Sequence, residues 1–226
     1  MDTYEVKIIA RIHTDFNEKF GIPRQSNLIP ELQGRIVFEP EFRSAEAVRG
    51  LEGYDYLWLI WQFSEAVRDS WSPTVRPPRL GGNRRMGVFA TRSPFRPNAI
   101  GLSSVALDRV EMDPKQGPVL FVHGVDLMDG TPLFDIKPYI AAVDSHPGAA
   151  AGFTDRLLPE ELKLDCSPEL LARIPEEKRE ALLAVLRSDP RPRYQDDPER
   201  IYGMMFGGRN IKFYVRDGKL TVTAVE

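Results

Sequence analysis

The sequence predicts a mainly β fold: an antiparallel β-barrel followed by a small α+β domain. Short segments of alternating or continuous apolar residues recur through the first 140 residues, with turn-forming residues between them. Most of the gaps lack the apolar 3.6-residue period of a helix. A doubly wound α/β fold is the alternative, but it would need a helix of about 10–15 residues between its strands. The barrel is therefore the preferred prediction.

Seven strands are predicted in this first part of the chain. The first alternates with a period of two, and the third is rich in aromatic and branched residues, which is typical of a buried strand. The seven segments are residues 4–12, 34–38, 54–63, 86–90, 99–110, 119–125 and 133–136. Residues 113–117 form a hairpin loop between the fifth and sixth strands, and Ser44 begins a short helix that reaches Val48. We expect residues 1–145 to form the barrel domain.

The pattern changes after a Gly- and Ala-rich connection at residues 146–152. Ser167 followed by Pro168 marks a helix start, and a second start at Pro175 leads into an apolar stripe. Three strands follow at residues 201–206, 211–215 and 220–225, separated by glycine-containing hairpin turns. Residues 153–226 are thus predicted to form a small α+β domain.

Composition excludes several classes of protein. The 226 residues include 30 Lys and Arg against 33 Asp and Glu, a net charge of -3, with 42% hydrophobic residues, as in a globular protein. No apolar run approaches the roughly 20 residues of a membrane helix, and the N-terminus lacks the basic start of a signal peptide. Cys166 is the single cysteine and the three histidines are far apart, so neither a disulfide nor a metal site is expected. We expect a cytoplasmic protein.

Residues 72–98 carry the strongest chemical signal. This segment holds six arginines, no lysine and no acidic residue, although the chain is net acidic; the arginines are Arg76, Arg79, Arg84, Arg85, Arg92 and Arg96. Guanidinium groups bind phosphate and carboxylate through paired hydrogen bonds. A solvated basic loop is the alternative. The absence of nearby acid favours an anionic ligand, and a nucleic acid above all.

Other candidate residues are less distinctive. Asp126 and Asp129 lie at a turn and are interpreted as turn formers, since Asp side chains bond their own backbone there. Asp135 lies in a short apolar strand, where an inward carboxylate would need a partner such as Lys137 or Arg92. No glycine-rich dinucleotide or triphosphate motif occurs in the sequence, and no nucleophile elbow is present.

Several motifs taken together resemble the TsaA-like family of tRNA methyltransferases, over nearly the whole chain and in the family's order. The matching segments are residues 20–25 (FGIPRQ), 76–83 (RPPRLGGN), 87–98 (GVFATRSPFRPN), 129–132 (DGTP), 135–139 (DIKPY) and 189–192 (DPRP). The resemblance implies a β-barrel that binds S-adenosyl-L-methionine without a Rossmann fold, and a homodimer. It also implies methylation of the exocyclic nitrogen of threonylcarbamoyl-adenosine, next to the anticodon of tRNA.

The resemblance also implies a set of cofactor contacts. These would be Pro23, Arg24, Gln25, Ser64, Glu65, Arg92, Leu102, Asp129, Gly130, Thr131 and Pro132. Relatives often carry His-Gln where this chain has Ser64 and Glu65, so an acceptor-only carboxylate replaces a neutral donor. Arg24 or Arg92 would bind the cofactor's carboxylate and Leu102 would lie against adenine. The Asp129 turn would face the sulfonium or hold the ribose hydroxyls.

Two hypotheses concern the reaction and its substrate. The acceptor nitrogen is a poor nucleophile because its lone pair is delocalised, so Asp135 or Asp129 is expected to assist removal of its proton. Phosphates of tRNA are expected to bind Arg76, Arg79, Arg84, Arg85 and Arg96, with help from the C-terminal domain. Two non-catalytic alternatives are a protein that only binds S-adenosylmethionine or a nucleotide, and an RNA-binding accessory protein.

Overall fold

The computed structural model describes residues 2–65, 70–77, 84–154, 161–191 and 197–226. Six strands close into an antiparallel barrel in the order β1-β2-β7-β6-β3-β8. They are β1 (Ala10–His13), β2 (Gln33–Phe38), β3 (Tyr56–Gln62), β6 (Ile100–Asp113), β7 (Gly117–His123) and β8 (Thr131–Pro138). A separate two-stranded sheet pairs β4 (Thr74–Val75) with β5 (Met86–Gly87). The predicted mainly β barrel is therefore confirmed.

The period-two alternation of β3 and β6 decides which side chains fill the barrel. Leu57, Leu59 and Trp61 of β3 are buried, whereas the residues between them are more exposed. On β6 the inward positions include Gly101, directly opposite Trp61. A Cβ atom at Gly101 would lie 2.3 Å from Cε2 of the indole. Glycine at this position is what lets the large ring fit inside the barrel.

Short helical turns connect the barrel strands, and some predicted boundaries change. The 3-10 turns are Pro40–Phe42, Ala45–Val48, Leu51–Gly53 and Val88–Ala90, and α1 (Ala141–Asp144) follows the last barrel strand. The predicted helix after Ser44 is a 3-10 turn, and only two residues of the predicted strand at 86–90 are extended. The first strand begins at Ala10, six residues later than predicted, and Tyr4 is 90% exposed. Alternation alone does not make a strand, because a strand also needs a pairing partner.

The hairpin at residues 113–117 forms as predicted. Oδ1 of Asp113 accepts hydrogen bonds from the backbone N–H groups of Lys115 (2.7 Å) and Gln116 (2.8 Å). These bonds, led by that from Gln116, lower the pKa of the Asp113 carboxyl.

The C-terminal part forms a second sheet with two helices. Its strand order is β10-β11-β12-β9, where β10 is Tyr202–Phe206, β11 Arg209–Arg216, β12 Lys219–Val225 and β9 Lys163–Asp165. The 3-10 turn Gly152–Thr154 precedes α2 (Pro168–Leu171), whose N-terminus is capped by Ser167, and α3 (Glu176–Arg187). The strand β9, parallel to β12, was not predicted because its three residues, Lys-Leu-Asp, carry no strand pattern.

The barrel and the C-terminal four-stranded sheet share a continuous apolar core. Phe16, from the loop after β1, packs edge-on against Phe206 of β10, with ring centroids 5.5 Å apart. At the edge of this contact Nζ of Lys178 lies 2.5 Å from Oδ1 of Asp15. Among the described residues, no helix has both the length and the apolar character to cross a membrane.

Candidate active site

A hydrogen bond joins two of the segments predicted to bind the cofactor. Nη1 of Arg92 donates to Oε1 of Gln25, although the two residues are 67 positions apart. Gln25 lies in the loop after β1, and Arg92 lies just beyond the 3-10 turn Val88–Ala90. Arg92 is exposed, and this bond uses one of the five N–H donors of its guanidinium. The pair can therefore present positive charge and donors to an anionic group.

A chain of hydrogen bonds leads from the barrel core to a carboxylate near this pair. Nε1 of Trp61 donates to Oγ of Ser103 (3.0 Å), and that hydroxyl donates to Oδ1 of Asp126 (2.6 Å). Ser103 is only 2% exposed, because it points into the barrel from β6. The backbone N–H of Ser26, next to Gln25, also bonds the Asp126 carboxylate. Asp126 thus lies between the barrel interior and the Gln25 loop.

Burial raises the pKa of Asp126 from 3.8 to about 6. The hydrogen bonds from Ser103 and from backbone N–H groups, together with the charge of Arg92, oppose this rise but do not cancel it. A carboxylate with a raised pKa beside a cation is typical of a functional site. The sequence analysis interprets Asp126 only as a turn former and does not predict this raised pKa. The one available signal was Ser103, a polar residue at an inward position of an alternating strand.

The turn at residues 129–132 is held against β1. Oδ1 of Asp129 accepts a hydrogen bond from the backbone N–H of Thr14 and lies 3.1 Å from Nδ1 of His13. The backbone N–H of Gly130 donates to the carbonyl of Ile12 (2.9 Å). Thr131 and Pro132 follow at the buried start of β8. The Asp129 carboxylate therefore orders this turn and also faces an imidazole.

Asp135 and Leu102 lie on the outer face of the barrel at one level. Ile60 of β3 pairs with Leu102 on one side and with Asp135 on the other, so the three side chains share a face. Leu102 is 53% exposed. Oδ2 of Asp135 lies 2.8 Å from Nζ of Lys137, one of its two predicted partners. An apolar surface and a carboxylate therefore lie on adjacent strands here.

The remaining predicted cofactor residues lie in two exposed loops. Ser64 and Glu65 lie one residue beyond the end of β3, and Oε2 of Glu65 lies 3.1 Å from Nζ of Lys19. Pro23 is half-buried, and the carbonyl oxygen of Arg24 accepts a hydrogen bond from the side chain of Gln25. The charge that Glu65 introduces is thus matched by Lys19.

Most of the arginines predicted to bind RNA are at the surface. Arg76, Arg84 and Arg85 are exposed, whereas Arg96 is half-buried and donates to the carbonyl of Thr91 (2.7 Å). Arg79 lies outside the described residues.

Family models match both parts of the chain. The model of the tRNA-methyltransferase O N-terminal domain matches residues 11–145, and that of the TrmO C-terminal domain matches residues 159–226. The chain belongs to the tRNA-methyltransferase O family. The resemblance read from the sequence motifs is therefore confirmed, and with it the prediction of an enzyme.

Individual relatives are similar to this chain over nearly its whole length. The tRNA (adenine(37)-N6)-methyltransferase of Escherichia coli K12 is 38% identical over 234 residues, covering 100% of this chain and 99% of that protein. A putative S-adenosylmethionine-dependent methyltransferase of Pseudomonas aeruginosa is 41% identical, covering 94% of this chain and 93% of its own. A crystal structure of TrmO from Pseudomonas aeruginosa superposes with a TM-score of 0.80 at 32% identity, covering 100% of both chains.

Proposed function

We propose that this protein transfers a methyl group from S-adenosyl-L-methionine to the exocyclic nitrogen of threonylcarbamoyl-adenosine, next to the anticodon of tRNA. Full-length similarity to the Escherichia coli tRNA (adenine(37)-N6)-methyltransferase supports the tRNA methyltransferase activity. The observation that carries the proposal is the Gln25–Arg92 hydrogen bond beside the Asp126 carboxylate. It joins distant parts of the sequence into one polar cluster.

The residues present fit the chemistry of this cofactor. S-adenosylmethionine carries an amino-acid carboxylate, a sulfonium cation and an adenine ring, and when bound it supplies an electrophilic methyl group. Arg92 or Arg24 would bind the carboxylate through guanidinium donors. The exposed side chain of Leu102 would pack against the adenine. Asp126 adds a feature absent from the predicted set: a mostly buried anion whose charge is opposite to that of the sulfonium.

The environment of Asp126 suits it to a cationic ligand. With a pKa of about 6, this carboxyl is ionised at neutral pH in spite of its burial. A positive charge brought next to it lowers the free energy of the ionised form. We therefore infer that Asp126 contributes charge complementarity to cofactor binding, with Ser103 and Trp61 fixing the direction of its carboxylate.

For removal of the acceptor's proton, the geometry favours Asp135 over Asp129. Asp135 shares the outer barrel face with Leu102, a predicted cofactor contact, and its partner Lys137 is also at the surface. Asp129 instead accepts hydrogen bonds that order its own turn. We infer that Asp135 accepts the proton and that Asp129 shapes the turn.

The substrate side of the proposal rests on the arginine-rich segment. The exposed Arg76, Arg84 and Arg85 would bind tRNA phosphates, and the small C-terminal domain would help to grip the anticodon arm. We also infer that the active form is a homodimer, as the family resemblance implies.

The test is methyl transfer by the purified chain to two transcripts of one tRNA, with and without the threonylcarbamoyl group, followed by nucleoside mass spectrometry. We expect methylation of the modified tRNA alone, and its loss in Arg92→Ala. Arg49→Ala is the matched control, because Arg49 is an exposed arginine that is paired with Glu46 and belongs to none of the segments predicted to bind cofactor or RNA. Equal methylation of both tRNAs would refute the substrate assignment. Cofactor binding with no transfer to either would favour the non-catalytic alternative.

The base is tested by single-turnover kinetics at saturating cofactor. We expect Asp135→Asn to slow the methyl-transfer step roughly a hundredfold or more while leaving cofactor affinity unchanged. If Asp135→Asn and Asp129→Asn both transfer at the wild-type rate, neither carboxylate is the base.

A further inference from the structure

Two aromatic rings lie in contact with each other on the surface beside the arginine-rich segment. Trp71 is 52% exposed and Phe89 is 71% exposed, and their ring centroids are 6.1 Å apart with a tilt of 32°. Large aromatic side chains are normally buried, so an exposed pair is typical of a binding surface. We call Trp71, Phe89 and the adjacent Arg96 the aromatic patch.

Local structure holds the patch in place. The β4–β5 ladder pairs Thr74 with Gly87, and the backbone N–H of Val88 donates to the carbonyl of Pro73 (2.9 Å). Val88 is buried at 1% exposure, which fixes the 3-10 turn and leaves the next residue, Phe89, at the surface. Hydrogen-bonded backbone therefore positions Phe89 at the surface, next to Trp71.

The patch is positively charged. Cζ of Arg96 lies 5.8 Å from the ring centroid of Phe89, and its guanidinium is oriented by hydrogen bonds to the carbonyls of Thr91 (2.7 Å) and Val88 (3.4 Å). Arg84 and Arg85 are exposed nearby in sequence, and residues 72–98 contain no acidic side chain. Aromatic faces combined with cationic groups complement a polyanion that carries flat rings, which describes single-stranded nucleic acid.

We propose that the aromatic patch stacks against unpaired bases of the tRNA anticodon loop. Base faces are hidden within a duplex but are available in loops, where they stack on aromatic side chains and on arginine. The inference rests on the proposed tRNA substrate and deepens it. Trp71 and Phe89 would receive bases near the methylated adenosine, while Arg84 and Arg85 bind the backbone phosphates.

The experiment measures the affinity of the full chain for a fluorescently labelled anticodon stem-loop as a function of salt. We expect Phe89→Leu and Trp71→Leu each to weaken binding roughly five- to a hundredfold, because each removes one stacking surface. The slope of log affinity against log salt should stay unchanged, because no charge is lost. Phe89→Tyr should restore binding, and Tyr4→Leu, at another exposed ring, should bind like the wild type.

Tryptophan fluorescence gives an independent readout. Trp61 is 8% exposed and Trp58 donates a hydrogen bond to Asp144 (3.1 Å), so Trp71 is the most exposed of the three indoles in the chain. Stacking should quench the wild-type emission on RNA addition, and Trp71→Phe should lose that quenching.

Three outcomes would overturn the proposal. Affinities of both leucine variants within twofold of the wild type would show that the rings do not contact RNA. If light scattering shows that the leucine variants are monomers where the wild type is a dimer, and their RNA affinity per chain is retained, the aromatic patch is a contact between two copies of the chain. If the wild type binds no tRNA, the proposed substrate is refuted together with the aromatic patch. If the wild type binds and methylates tRNA and the leucine variants bind it equally well, only the proposal for the aromatic patch is refuted.

Discussion

Neutralising Asp126 should change how the stability of the folded protein depends on pH. The carboxyl has a pKa of about 6 in the folded state against 3.8 when exposed, mainly because it is buried. That difference corresponds to roughly 3 kcal/mol by which the fold disfavours the ionised form. Asp126→Asn keeps the shape and the acceptor for the Ser103 hydroxyl but cannot ionise.

The sign follows from proton binding. Between pH 4 and 6 the folded state holds a proton on Asp126 that the unfolded state has lost, so stability falls as pH rises through this window. Above the folded pKa the full penalty is present, and below about pH 4 it is absent. The Asp126→Asn variant has no such pH-dependent penalty, because asparagine does not ionise. The free energy of unfolding of the variant minus that of the wild type should therefore increase by roughly 2.4 kcal/mol from pH 4 to pH 8.

The assay is urea unfolding of both proteins without cofactor, at intervals across that range. Loss of the backbone hydrogen bond from Ser26 would shift the whole difference curve by a constant of about 1 kcal/mol, which does not alter its shape. The control is Asp217→Asn, an exposed carboxylate in the β11–β12 turn whose positive φ asparagine tolerates. The free energy of unfolding of Asp217→Asn minus that of the wild type should stay constant across the pH range, within about 0.5 kcal/mol. A flat curve for Asp126→Asn would refute the reasoning.

Three further predictions concern packing and charge. Gly101→Ala should destabilise the fold by about 1–3 kcal/mol in urea unfolding, because the new Cβ would lie 2.3 Å from the Trp61 ring. Ser103→Ala should cost about 1–3 kcal/mol by the same measurement, because it leaves the buried Trp61 N–H without its acceptor. Arg84→Gln combined with Arg85→Gln should make the log–log salt slope of tRNA binding shallower by roughly two.

The sequence predicts a barrel strand well where the residue pattern of the segment is typical of a strand and the segment also pairs with a neighbour in the fold. For β3 the run of aromatic and branched residues predicted a buried strand, and the glycine-containing turn after Asp113 predicted the hairpin between β6 and β7. It failed for residues 4–8, which alternate but form no strand; backbone pairing begins at Ile9, whose N–H donates to the carbonyl of Leu133. The strand β9 was missed for the opposite reason, since it is fixed by pairing with β12 rather than by its own pattern.

The candidate site shows the same division. Motifs predicted Gln25 and Arg92 as members of one site, because a family resemblance records residues that work together. The environment of Asp126 is not predictable in this way. The sequence shows an acidic residue before a turn, but it does not show that the Ser103 hydroxyl on β6 donates a hydrogen bond to that carboxylate. Burial and hydrogen-bond partners arise from tertiary structure, and so do the pKa shifts that identify functional carboxylates.

The fold does not need the charge of Asp126. A neutral amide could accept the hydrogen bond from Ser103, and the barrel would avoid a penalty of roughly 3 kcal/mol, a large share of the 5–15 kcal/mol that stabilises a typical domain. Arg92 offsets only part of that cost, since the pKa stays raised with the guanidinium in place. A buried anion that its own protein leaves incompletely neutralised becomes a stronger site for a second cation. A ligand with a positive centre would recover part of the penalty on binding, so affinity for such a ligand should rise as pH increases through 6. That coupling links the Asp126 carboxylate to the sulfonium of the proposed methyl donor.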